Sequence, residues 1–118
     1  IIKKNGFNFY IGSNGNLIEA NGYNIDLPFL FGDIEIIEFL KLKKIIDDSN
    51  FNYADIKNLF YFKSKRWDIE TKDDLIIKLP IDKLKTSFEI LSKIYKNEKF
   101  KDLKIIDLRQ NNLVILNG

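Results

Sequence analysis

The sequence predicts an α+β fold, a curved antiparallel sheet of about seven strands with two helices packed on it. Three observations predict it. Arg66 to Thr71 alternates strictly, with Trp67, Ile69 and Thr71 on one face and Arg66, Asp68 and Glu70 on the other, the period of a half-buried strand. Two other stretches repeat apolar residues at helical spacing, one after Asp33 and one after Asp82. Turn-forming pairs such as Asn14-Gly15 and Asn111-Asn112 punctuate the rest, so neighbouring strands pair as antiparallel hairpins. The expected order is β-hairpin, helix, three-strand meander, helix, β-hairpin. No internal repeat is visible.

The stretch Arg66–Pro80 organises the sheet. Leu75, Ile77 and Leu79 can face Thr71, Ile69 and Trp67 across a three-residue loop, Lys72-Asp73-Asp74. Its third position needs positive φ, which Asp tolerates. A two-residue loop would set Ile69 opposite Lys78 and mix the faces. The chosen register also sets Asp68 across from Lys78, a favourable pair. Pro80 then ends the ladder, because it has no N–H to donate.

Taken in order, the chain begins with a hairpin. Phe7–Ile11 returns through a type I′ turn at Asn14-Gly15 to Leu17 and Ile18, with Ile11 opposite Ile18. Asn21-Gly22 marks a further turn. Leu27-Pro28-Phe29-Leu30-Phe31-Gly32 reads as an apolar connector, broken by its proline and glycine, that plugs the core or meets a partner. Asp33 can cap a helix running to about Asp48. Its apolar positions spread over a wide arc, so it is largely buried or keeps a second face for a partner, and burial is the simpler expectation. A strand follows, about Ile56 to Ser64. The second helix, about Asp82 to Lys96, carries a narrow stripe of Leu84, Phe88, Leu91 and Tyr95. The last hairpin pairs Leu103–Arg109 with Leu113–Leu116 in a register that sets Leu108 opposite Ile115. Asp107, Arg109, Val114 and Leu116 then share the other face.

Composition removes whole classes of function. Of the 118 residues 45% are hydrophobic, enough for one domain with a real core. The net charge of +2 is dispersed along the chain, which argues against nucleic acid as the main partner. Cysteine and histidine are absent, so disulfides, thiolate metal sites and histidine acid–base catalysis are excluded. The glycines are scattered turn residues rather than a phosphate loop. Asp47-Asp48 ends a helix and Asp73-Asp74 makes a turn, so neither pair reads as a metal or catalytic site. No cofactor is expected and no catalytic constellation is present. No apolar run reaches the roughly 20 residues of a membrane span. The first residue is Ile1, and we expect the chain to be one piece of a longer protein. Lysine supplies most of the positive charge, which makes the two arginines, Arg66 and Arg109, conspicuous.

Several ordered motifs resemble the C-terminal β domain of the bacterial cell-division protein family FtsQ/DivIB. R-W-D-I at Arg66–Ile69 resembles that family's arginine-tryptophan strand, and L-P at Leu79-Pro80 follows at the family's spacing. I-D-L-R at Ile106–Arg109 resembles its most recognisable tag. Upstream, L-P-F-L-F-G at Leu27–Gly32 is similar to its connector, and the Phe9–Ile18 hairpin to the strands before it.

The resemblance implies a non-enzymatic scaffold of the divisome, the β domain over residues 1–118. A single-pass inner-membrane helix and a POTRA domain would precede it in the whole protein. It implies a periplasmic location, septum formation as the process, and FtsB and FtsL as partners. It also implies partner contacts along the last strand, on Arg109, Gln110, Asn112, Leu113, Val114, Ile115 and Leu116. A second contact region would fall on Ser64, Lys65 and Arg66. Trp67 and Pro80 take structural roles, and Asp107 with Arg109 either braces the hairpin or touches the partner. The alternative is a small α+β domain that binds a ligand or nucleic acid, with Trp67, Phe60, Tyr61 and Phe62 as a stacking platform.

Overall fold

Strands β6 (Trp67–Thr71) and β7 (Ile76–Lys78) occupy the middle of the sheet. The computed structural model describes residues 1–20, 26–95, 97–110 and 113–118. The central register is the expected one: Asp68 faces Lys78 and Ile69 faces Ile77. The loop closes with Thr71 N–H donating to Leu75 O at 2.9 Å, and Asp74 takes the positive φ, 65°. Thr71 adds its own hydroxyl, which accepts from Leu75 N–H at 3.1 Å.

Around this hairpin the strands β4 (Phe29–Phe31), β5 (Ile56–Tyr61), β6, β7, β8 (Ile105–Gln110) and β9 (Leu113–Asn117) form one six-stranded sheet in chain order. Strands β1 (Ile2–Lys4), β2 (Phe7–Ile11) and β3 (Leu17–Glu19) form a second, three-stranded sheet. Helices α1 (Ile36–Asp47) and α2 (Leu84–Ile94) pack on one face of the larger sheet. The fold is α+β, as expected.

The large sheet is mixed rather than wholly antiparallel. β4 pairs parallel with β5, and β7 pairs parallel with β8. Each of these pairs is linked through a helix, α1 in the first case and α2 in the second. A crossover of about a dozen or more residues is what a parallel pair requires. The expectation of hairpins throughout overlooked that both helices lie between adjacent strands.

Several local expectations are corrected. The segment Leu27–Gly32 is a strand at its centre and not only a connector. Leu30 plugs the core while Phe29 and Phe31 face outward. Helix α1 begins later than Asp33, with Glu35 at its N-cap and no side-chain cap bond. Gly32 explains the delay: its φ of 110° and an Ile34 N–H bond back to Gly32 O turn the chain first. A Cβ on Gly32 would sit 2.2 Å from Tyr61 O, so no other residue fits.

In the first hairpin Ile11 faces Leu17, not Ile18. The loop spans residues 12–16, closed by Gly12 N–H to Asn16 O at 2.8 Å, and only Gly15 in it has positive φ. The two-residue Asn-Gly turn occurs instead at Asn5-Gly6, with φ of 50° and 82°, joining β1 to β2. The turns expected at Asn21-Gly22 and Asn111-Asn112 lie outside the described residues.

The core lies between the helices and one face of the sheet. One transverse row, Leu30, Leu59, Ile69, Ile77 and Ile106, is buried across five strands and ends on half-buried Leu116. Trp67 sits beside this row, with Tyr61 and Phe39 against its ring at 4.5 and 6.4 Å. The expected stripe of α2 contributes Phe88 and Leu91, while the Tyr95 ring packs at a tilt against Phe51, 4.6 Å between centroids.

Candidate functional site

The last hairpin holds most of the predicted contact residues, and its geometry follows from one carboxylate. Asp107 accepts from Arg109 three times: main-chain N–H at 3.1 Å, Nε at 2.9 Å and Nη2 at 2.7 Å. A side chain that captures a main-chain N–H two residues on removes that N–H from the ladder. The result is a β-bulge between Asp107 and Gln110. Gln110 still pairs with Leu113, but below the bulge Asp107 faces Ile115 and Ile106 faces Leu116.

The expected pairing of Leu108 with Ile115 is therefore displaced by one residue, which exchanges the faces. Val114 and Leu116 pack toward the core, and Ile115 lies on the face of Asp107. Arg109 stays with Asp107 as an i, i+2 pair on β8. The Arg109 guanidinium holds the Asp107 carboxyl below the usual carboxylate range, against an opposing effect of burial, and is itself raised.

The main-chain phase of β9 can be deduced. Ile76 N–H donates to Lys104 O at 2.9 Å across the parallel β7–β8 pair. That phase turns the N–H and C=O groups of Ile105 and Asp107 toward β9. Ile115 and Asn117 face back toward β8, and Asn117 O accepts from Lys104 N at 2.7 Å. The N–H and C=O of Val114 and Leu116 then point outward. Among the described residues β9 has a strand neighbour on one side only. At the far side of the sheet the β4 edge is met by the first residue, since Leu30 N–H donates to Ile1 O at 2.8 Å. Asn112 and the side chain of Leu113 lie outside the described residues.

The second predicted region, Ser64, Lys65 and Arg66, is the turn between β5 and β6. Phe62 N–H donates to Arg66 O at 3.0 Å, and Lys65 takes a positive φ of 66°. Ser64 and Lys65 are exposed. Arg66 is held on its own strand by an ion pair with Asp68 and a bond to Leu79 O, and lies over the Phe62 ring. The turn into β6 and strand β9 stand three strands apart and share one sheet face through the row Asp68, Lys78, Asp107 and Ile115.

Trp67 is 2% exposed under α1, and Tyr61 is also buried. They point away from Phe60 and Phe62, so the four aromatics do not form one stacking platform. Pro80 is buried just past β7. A cleft of about 600 Å³ lies between the first hairpin and α1 and gathers none of the predicted site residues. Among the described residues no carboxylate cluster could hold a metal ion. No helix among them is long and apolar enough to cross a membrane.

Among curated proteins none matches the chain. The sequence model for the family described as "Cell division protein FtsQ/DivIB, C-terminal" matches residues 1–109 of the 118. That match takes in the R-W-D-I strand, the L-P that follows it and the I-D-L-R tag. It is a family of membrane-anchored, non-catalytic division scaffolds. On this match over nearly its whole length, the chain belongs to the FtsQ/DivIB C-terminal family of cell-division proteins.

Proposed function

We propose that this domain is a non-enzymatic scaffold that captures an extended segment of a partner along β9. The outward N–H and C=O groups of Val114 and Leu116 carry the reading. An unpaired edge of this kind accepts a further strand, with main-chain bonds giving affinity and alternate side chains giving register. In the family's setting the partners are FtsB and FtsL, and the contact residues run from Arg109 and Gln110 through Asn112 to Leu116. Ser64, Lys65 and Arg66 form the second contact. The 118 residues act as one periplasmic β domain of a single-pass inner-membrane protein that helps control septal peptidoglycan synthesis.

Val114→Pro tests the edge. The substitution removes an N–H that points away from β8, so the fold survives while the partner's ladder is broken. Calorimetry with the periplasmic segment of FtsB should show loss of binding with a nearly unchanged thermal melt. Unchanged affinity would remove the edge from consideration.

A further inference from the structure

Four phenylalanines form a stripe on the sheet face turned away from the helices. Phe31 stands opposite Phe60 in the parallel register, and their rings stack at 5.3 Å and 19°. Phe29 lies two residues before Phe31 and Phe62 two after Phe60, so all four share the face. Phe29, Phe31 and Phe62 keep 43%, 46% and 39% of their surface exposed. Contiguous exposed apolar surface of this kind marks a binding surface.

One end of the stripe is cationic. Lys63 and Lys65 follow Phe62 in the turn and are exposed. Asp68, which faces Phe60, is neutralised by Arg66, and Glu70 on the same face accepts from Asn58 at 2.7 Å. The described clefts of about 600, 450 and 280 Å³ are lined by other residues. The adjacent β4 edge is met by Ile1, so an extended peptide finds little ladder to join. An isologous contact with a second copy would set cation against cation.

We propose that Phe29, Phe31, Phe60 and Phe62, with Lys63 and Lys65, dock this domain on an anionic lipid surface. The rings sit at the boundary of headgroup and acyl chain, and the lysines meet the phosphates. The surface lies at the β4–β5 end of the sheet, away from the β9 edge, and shares Lys65 with the second contact proposed above.

Co-sedimentation of the 118-residue chain with vesicles tests it, using phosphatidylcholine alone and phosphatidylcholine mixed with phosphatidylglycerol. Binding is expected to the mixed vesicles only, and to weaken with added salt. Each lysine near an anionic surface contributes about fivefold, so Lys63→Gln with Lys65→Gln should weaken binding roughly 25-fold. Phe31→Ser with Phe62→Ser should abolish it. The lysine variant alters only an exposed turn, so it decides the matter even if the phenylalanine variant folds poorly. No binding to mixed vesicles, or equal binding by the lysine variant, overturns the proposal. So does a parent chain that sediments as a dimer which either variant dissociates, or one that binds polyglutamate in preference to vesicles.

Discussion

Trp67 is the residue on which the core depends most visibly. Its ring is enclosed by Tyr61 and Phe39 and has almost no contact with solvent. Trp67→Ala should lower stability by roughly 3–5 kcal/mol in a denaturant melt, the cost of a large aromatic cavity. A small shift would mean that the ring is an exposed contact instead. Asp107 invites a different measurement. Its folded pKa is depressed by Arg109, so the stabilisation is present above the ordinary aspartate value of about 4 and is lost as pH falls through the lower folded value. The stability gap between the parent and Asp107→Asn should therefore be widest near neutrality and narrow in acid. A gap independent of pH would show that the ion pair is not its source. Both arginines were readable as special residues because lysine supplies the remaining positive charge. Their partners were half readable: the Asp107–Arg109 pair follows from i, i+2 spacing on a strand. The bulge it produces does not, because it depends on a main-chain N–H leaving the ladder.

At the scale of elements, strong periodicity was readable and terminal geometry was not. The β6–β7 hairpin came out in its true register because one alternative mixed the faces and the other did not. The α2 stripe was equally plain. The first hairpin shows the limit. Asn-Gly occurs at 5–6 and at 14–15, and only the first adopts the two-residue turn. Three-residue β1 is too short to show alternation, so nothing in the pattern distinguished the two sites. Strand β4 was hidden for a related reason. A short parallel strand between a proline and a glycine looks like a connector, and only its pairing with β5 defines it. The turn after β5 carries a testable tension. Lys65 occupies a left-handed position that costs a side chain about 1 kcal/mol and a glycine nothing. Lys65→Gly should raise the melting temperature by a few degrees while weakening association with anionic vesicles. A lower melting temperature would show that the lysine side chain stabilises the turn.

At the scale of the molecule, the two ends of the large sheet have different characters. The β4 end meets Ile1 and exposes phenylalanines, whereas the β9 end leaves main-chain groups open and half-buries Val114, Ile115 and Leu116. The overall class was readable from the order of periodic segments. The parallel pairs were not, because element order alone does not say whether a helix separates neighbours or bridges them. The partner edge was suggested by resemblance, and the register slip at the bulge is what turns Val114 and Leu116 toward the core side.

The strands of the large sheet follow one another in space as they do along the chain. No strand has to be inserted between two that are already joined. A polypeptide that emerges with its amino end first can lay each strand on an edge that already exists, with α1 and α2 folded down between additions. The strand at the open end is then the last to be laid. If β9 is the partner's strand, as proposed, the partner meets only a sheet whose assembly is finished, and binding there would report that folding is complete.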